Sequence, residues 1–346
     1  MNLSLFDYHL PKELIAQSPI RSRSASRLMV LNRKTGTIAH TRFRHIIDFL
    51  RKGDALVVNN TKVFKARLWG YRKTGGKIEV FLIRRAADSE AELWEAFVSP
   101  SRRLHEEEQI FFDDRASVRL VRHLGNGRWL IQFRSTFARL QILSRFGHVP
   151  LPHYIGRDDT PEDVRRYQTL FADRSQVGAV AAPTAGFHFT RSLLRQIDSM
   201  GVKTVPLTLH VGPGTFKPVK CEMIEDHIVD PEFAELSMSA AAALNRVRDS
   251  GGRLFVVGTT SVRTLESAPF TRGKIQPFSG MVDLYIRPGF KFRMTDHMIT
   301  NFHLPKSSLL ILVSAFAGRE RILSAYETAI AERYRFYSYG DAMLIL

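Results

Sequence analysis

The sequence predicts a mixed α/β protein of two domains. A larger α/β domain is assembled from both ends of the chain, residues 1–61 and 150–346, and a small antiparallel β-barrel is inserted at 62–149. Three observations predict this. At 346 residues the chain is long enough for two ordinary domains and a large buried core. Both ends alternate short apolar strands with helix-like segments. Between residues 64 and 133 the texture changes to short runs rich in β-branched and aromatic residues, parted by Gly and charged turns.

The elements follow in order. LMVL (28–31) reads as a strand, Asn32 to Gly36 as a turn, Phe43 to Leu50 as a helix and ALVVN (55–59) as an apolar strand. In the insertion, ARLWGYR, KIEVFLIRR, LWEAFVSP, QIFF, SVRLVRHL and RWLIQFR each give a strand, with turns at Thr74-Gly75-Gly76 and Gly125-Asn126-Gly127. A helix from Phe137 to Phe146, ended by Gly147, leads into the rigid PLPHYI. Beyond it, helices are expected at Pro161–Ala172, Arg191–Met200, Ser239–Ser250, Ser261–Ala268 and Leu309–Ile330, the last with a break near Gly318. Strands are expected at 202–209, 253–258, 281–286 and 342–346. No internal repeat or low-complexity linker appears.

Composition narrows the function. The single cysteine, Cys221, excludes a disulfide framework and multi-Cys metal sites, and its neighbours Lys220 and Glu222 give no activating pattern. The chain opens without a basic stretch and long apolar run, and the apolar run Leu309–Ala317 is too short to span a bilayer, so a cytoplasmic location with no membrane contact is expected. The formal charge of +16 favours a polyanionic partner, most simply nucleic acid. Residues 1–61 hold 10 Lys and Arg against 4 acidic residues and 62–150 hold 17 against 10, whereas the remainder is nearly balanced. A basic surface that grips the polyanion and a more neutral pocket for chemistry are therefore expected.

Gly178 to Val219 is the most site-like stretch. GAVAAPTAGFHFT and TLHVGPGTFKPV set His188, His210 and Lys217 among Thr184, Gly186, Gly212, Gly214 and Thr215, so that small residues bring backbone close to a ligand while imidazoles and hydroxyls face it. RLFVVGTTSVRTLES (253–267) places Thr259 and Thr260 where a strand passes into a helix, a ready anion site, with Arg263 as an added donor. An ordinary helix cap is the alternative for these residues. TNFHLPKS (300–307) gathers Asn301, His303 and Lys306, and YRFYSYGDAML (334–344) interleaves aromatics with Arg335 and Asp341, a pattern suited to stacking a purine. No GxGxxG after a strand, P-loop or HExxH is present. His227, Asp230 and Glu232 have metal-ligand chemistry but read as a hydrogen-bond network, so no metal is expected.

These stretches together resemble the S-adenosylmethionine:tRNA ribosyltransferase-isomerase family of queuosine biosynthesis. Ten blocks match its pattern in order: FDYHLPKELIAQSPIRSRSASRL (6–28), NNTKVFKARLWG (59–70), TGGKIEV (74–80), GHVPLPHYIGR (147–157), RYQTLFA (166–172), AVAAPTAGFHFT (179–190), TLHVGPGTFKPV (208–219), VGTTSVRTLES (257–267), ITNFHLPKSSLL (299–310) and YRFYSYGDAMLI (334–345). Three positions depart from it. His153 stands where a second Pro is usual and Phe187 where Leu is usual. Asp230 stands where the family has the second His of His-x-Met-His-x-Glu, which moves any role of that histidine to a carboxylate.

The resemblance implies transfer of the ribosyl unit of S-adenosylmethionine to 7-aminomethyl-7-deazaguanine at the tRNA wobble position, with rearrangement to epoxyqueuosine and release of adenine and methionine. S-adenosylmethionine is then a consumed substrate, no cofactor is implied, and a monomer is expected. His188, His210 and His303 are the candidates for acid/base work. Thr259, Thr260 and Arg263 are candidates for the methionine carboxylate or a tRNA phosphate, and Tyr337 and Asp341 for the adenine. A methyltransferase acting on the same RNA and a non-catalytic tRNA-binding protein are the rival readings.

Overall fold

The computed structural model describes residues 1–86, 93–136, 139–216 and 218–346. Strands β1 (Arg27–Leu31) and β2 (Ile38–Arg42) form a hairpin, its turn closed by the Asn32 carboxamide oxygen, which accepts from the backbone N–H groups of Lys34 and Thr35 at 2.9 and 3.2 Å. The helix expected at 43–50 is a 3₁₀ helix, Phe43–Phe49. Its buried Phe43 and Ile46 lie three residues apart, the spacing that a three-residue turn stacks on one side. Strand β3 (Ala55–Asn59) is buried on both faces.

After β4 (Lys62–Val63) come β5 (Arg67–Arg72), β6 (Lys77–Arg85), β7 (Leu93–Ser99), β8 (Gln109–Asp113), β9 (Ala116–Gly125) and β10 (Arg128–Ser135). They pair antiparallel in the order β5-β6-β7-β10-β9-β8, and β8 returns to β5 through Tyr71 opposite Phe111, so six strands close into a barrel. Alternation along β6 and β7 sends Ile78, Val80, Leu82, Trp94, Ala96 and Val98 inward. Helix α1 (Arg139–Phe146) and β11 (Gly147–His148) bring the chain out, β11 pairing with β5. The first two residues of the helix expected here, Phe137 and Ala138, lie outside the described residues.

The second half contains α2 (Asp163–Arg166), β12 (Val177–Ala179), α3 (Arg191–Ser199), β13 (Lys203–Leu209), β14 (Glu232–Leu236), α4 (Met238–Asp249), β15 (Leu254–Val257) and α5 (Thr259–Ser267). A small hairpin of β16 (Phe270–Thr271) and β17 (Lys274–Ile275), then β18 (Phe278–Val282), β19 (His297–Asn301), α6 (Ser308–Ala317), α7 (Arg319–Ala331) and β20 (Ala342–Ile345) complete it. Two expectations shift. The helix of 161–172 is a single turn, because buried Asp163 is pulled to Arg157, at 2.7 and 2.9 Å, and to the Tyr339 hydroxyl. The strand of 281–286 lies at 278–282, where it pairs with β14 from Leu236 back to Glu232; the partner strand then ends at Pro231, which has no N–H to offer.

Nine strands form one mixed sheet, ordered β18-β14-β13-β3-β15-β19-β20-β1-β2. Side chains alternate between its faces: Met29, Val57, Val256 and Met343 pack under α4 to α7, whereas Val30, Leu56, Phe255 and Leu344 pack under α3 and the 3₁₀ segment. Helices on both sides make the central strands continuously apolar, as the sequence runs LMVL, ALVVN and LFVV require.

Candidate functional site

The parallel strands β13, β3, β15 and β19 point the same way and end near Leu209, Asn59, Val257 and Asn301. Strand β20 runs antiparallel to β19 and parallel to β1, so Ala342, where β20 begins, and its partner Leu28 near the start of β1 sit at that same end. Turns leaving this edge converge, which is where open α/β sheets build ligand sites.

His210 follows β13. Its Nδ1 lies 2.8 Å from the Thr61 hydroxyl, and its ring stacks on Phe233 with centroids 5.5 Å apart. On another side it lies against the backbone of Gly178, where a Cβ would come within 2.5 Å of the ring. Burial lowers its pKa below the usual 6.5, so the imidazole is neutral at neutral pH. Thr61 is itself fixed, because its N–H donates to Asn59 Oδ1 at 3.0 Å, while Asn59 Nδ2 donates to Leu209 O at 2.9 Å and to the Thr260 hydroxyl at 3.3 Å. The Asn59-Asn60-Thr61 turn thus ties β3, β13 and α5 to one imidazole.

The other two histidines are buried. His188, which ends a 3₁₀ turn of Thr184–His188, meets the Ser26 hydroxyl through Nδ1 at 2.8 Å and accepts from Asn301 Nδ2 at Nε2, 3.2 Å away. Both ring nitrogens are occupied. Desolvation, with Arg23 and Arg335 nearby, lowers its pKa to about 3. Asn301 also accepts from the Thr184 hydroxyl at 3.0 Å, so His188 and Thr184 hold the carboxamide from opposite ends. His303 meets the Thr300 hydroxyl through Nε2 at 2.9 Å, and burial lowers its pKa to about 3.

Gly258, at φ +84°, turns the chain from β15 into α5, a conformation that suits a residue without a side chain. The first helical bond to its carbonyl comes from Val262 at 3.2 Å, so the N–H groups of Thr259, Thr260 and Ser261 precede the ladder. Thr259 and Thr260 face a small cavity together with Thr184, Thr215, Asn301, His303 and Tyr337. Tyr337 holds φ +74°, rare for a bulky residue, with its N–H donating to Phe302 O at 3.1 Å and its ring edge-on to Tyr154.

Other expected site residues have different surroundings. The Arg263 guanidinium is held by a short contact to Glu232 and donates to Leu284 O at 3.1 Å. Glu232 in turn accepts from Gly212 N at 2.7 Å and the Thr215 hydroxyl at 3.0 Å, clamping the turn that carries Gly214. Asp341 accepts from the backbone N–H groups of Arg27 at 2.7 Å and Arg335 at 2.8 Å, joining the start of β1 to the Tyr337 loop. Gly186 lies against Thr169. Lys217 lies outside the described residues. Sequence reasoning missed Ser26, Asn59 and Thr61 as site residues, although NNT directly after an apolar strand was the available signal for Asn59 and Thr61.

The small cavity shares Thr215 and Leu309 with a second one of about 120 Å³. That one shares Asp230 and Glu232 with a cleft of about 530 Å³ reaching the barrel, and His210 lines this cleft with Gly212 and Phe233. Among the described residues no group of three or more His, Cys, Asp or Glu lies close enough to hold a metal ion, and no helix is long and apolar enough to cross a membrane.

The sequence model of the family described as queuosine biosynthesis protein matches residues 3–345. Proteins named S-adenosylmethionine:tRNA ribosyltransferase-isomerase are similar along their whole length. That of Syntrophotalea carbinolica is 48% identical with all of both chains covered, and that of Pelobacter propionicus is 47% identical with 98% of each covered. A crystal structure described as S-adenosylmethionine tRNA ribosyltransferase from Thermotoga maritima matches 99% of this chain and 100% of its own at 34% identity, with a TM-score of 0.56. The chain therefore belongs to the queuosine biosynthesis protein family and is an enzyme of the ribosyltransferase-isomerase class.

Proposed function

We propose that the enzyme transfers the ribosyl unit of S-adenosylmethionine to 7-aminomethyl-7-deazaguanine in the wobble position of tRNA and isomerises it to the epoxycyclopentane of epoxyqueuosine. Adenine and methionine leave, and S-adenosylmethionine is consumed as substrate. The sulfonium acidifies the adjacent 5′ carbon, so the first step is proton removal there by a neutral base. Loss of adenine and attack by the amine of the modified base follow.

The observation that carries this reading is His210: a neutral imidazole, fixed at Nδ1 by Thr61, in the wall of an open cleft at the sheet's carboxyl edge. A neutral base whose ring is oriented by a second group, in the wall of a cleft open to substrate, has the arrangement that proton transfer needs. The buried His188 positions Asn301 instead. The N–H groups opening α5, with Thr259 and Thr260, suit the methionine carboxylate, since a helix N-terminus favours negative charge. Arg263 pairs with Glu232 and lines the 120 Å³ cavity beside it.

Incubation with S-adenosylmethionine and tRNA bearing the aminomethyl-deazaguanine, followed by mass spectrometry of nucleoside and small products, tests the proposal. Adenine, methionine and epoxyqueuosine are expected. S-adenosylhomocysteine would identify a methyltransferase, and unconsumed S-adenosylmethionine a binding protein.

A further inference from the structure

We infer that the 530 Å³ cleft between the sheet edge and the barrel receives the extruded wobble nucleotide, and that the barrel supplies the stacking wall and part of the phosphate grip. The inference rests on the reaction proposed above and assigns the cavity that takes its RNA substrate.

The barrel contributes Trp94, Arg84 and Arg128 to the cleft, and Phe64 from the strand connection meets Trp94 with ring centroids 5.8 Å apart. Trp94 is buried, whereas Arg84 is half exposed and pairs with Glu95 at 3.0 Å. The opposite wall is His210 stacked on Phe233. Val177 and Met281, 50% and 53% exposed, add apolar surface from the sheet side. The volume falls within the roughly 300–1,000 Å³ of pockets that hold a small molecule, room enough for one nucleotide.

Two features select a nucleotide of RNA as occupant. Aromatic faces stack any base, and arginines at the same opening meet flanking phosphates; this pairing of groups recurs where single-stranded nucleic acid is held. The arginines belong to the inserted segment, which carries 17 basic against 10 acidic residues over 62–150. An enzyme that modifies a base must also take that base out of its stack. A base in this cleft lies beside His210; the 120 Å³ cavity shares Asp230 and Glu232 with the cleft, and shares Thr215 and Leu309 with the small cavity at the start of α5. The RNA base and the methionine end of the second substrate are thus placed at the two ends of a row of three adjoining cavities.

The test measures binding without turnover, using an anticodon stem-loop with guanine at the wobble position and the same stem-loop abasic there. Wild type is expected to bind the base-bearing form more tightly, and Trp94→Ala to erase that difference through a loss of about tenfold or more in affinity for that form. Affinity for S-adenosylmethionine alone should stay unchanged. Arg128→Glu, at the rim and clear of the core, should weaken both stem-loops equally and lower the salt slope by about one.

Weaker S-adenosylmethionine binding with unchanged stem-loop affinity in Trp94→Ala would place the adenosyl half in the cleft and overturn the inference. Equal wild-type affinity for the two stem-loops would overturn it as well. Should Trp94→Ala fail to fold, Trp94→Leu carries the comparison of base-bearing with abasic stem-loop, and Arg128→Glu tests the phosphate grip separately. The product assay on wild type separates the two claims: failure there removes the reaction, whereas the binding arms judge the cleft alone.

Discussion

His210 and His188 are both neutral imidazoles next to a hydroxyl, yet their second nitrogens meet different surroundings: His210 lines an open cleft, and His188 is bound to Asn301. His210→Ala is therefore expected to lower turnover by about 10²-fold or more with little loss of stability. Its pH profile carries the sign of the role. A base with a lowered pKa is already deprotonated at pH 7, so kcat/KM should be flat above 6.5 and fall only in more acidic buffer. A wild-type acid limb that persists unchanged in His210→Ala would assign the proton transfer elsewhere. Thr61 acts through the ring, so Thr61→Val should lower kcat more than it raises KM, with Thr61→Ser restoring the rate. Gly178→Ala forces a Cβ against the imidazole, so it should lower the single-turnover rate as Thr61→Val does and, because the ring is held by Thr61 and Phe233, lower the melting temperature as well. The sequence made His210 legible because it stands out beside glycines. Its partner in NNT was hidden because a threonine 149 positions away carries no local sign of the contact.

At the scale of elements, the doubly covered strands were legible because a strand buried on both faces must be an unbroken apolar run, as in LMVL, ALVVN and LFVV. Strand β19 was not, since HMITN mixes polar residues whose partners, His188 and His303, come from other segments or its own turn. Arg263, one turn into α5, looked like an anion ligand for the same reason: the sequence displays the guanidinium and conceals its contact with Glu232, 31 positions away. Removing one member of such a buried pair leaves the other uncompensated, so Arg263→Met should cost about 3–5 kcal/mol in denaturant unfolding. The buried histidines give this edge of the sheet an acid weakness. His188 and His303 both have pKa values lowered to about 3, so the unfolded chain takes up protons there that the native protein does not. Their contribution to stability is complete above about 6.5 and is lost as pH falls from there toward 3. Chemical denaturation at pH 7 and pH 5 should show this loss, and a variant with His303→Gln should show less of it.

Across the whole molecule, the charge excess concentrates in the first 150 residues, and the fold gives that excess two distinct places on the barrel. Arg84 and Arg85 line the cleft that also holds His210, whereas Arg102 borders a separate depression with His105, His123 and Trp129. If affinity came from charge alone, reversing either pair would weaken tRNA binding alike. A cleft that takes the wobble nucleotide ranks them, because phosphates flanking that nucleotide must pass its rim. Arg84→Glu with Arg85→Glu should therefore raise the apparent KM for tRNA and lower the slope of log affinity against log salt by about one per lost contact, while S-adenosylmethionine binding is spared. The reversal of Arg102 and Arg103 should change the slope less, because those residues lie away from the reacting base. Equal effects of the two pairs would assign the barrel a general electrostatic role. No effect of either would move the RNA grip to the N-terminal segment, where Arg21 is exposed and Arg27 lies over the Tyr334 ring at 3.7 Å.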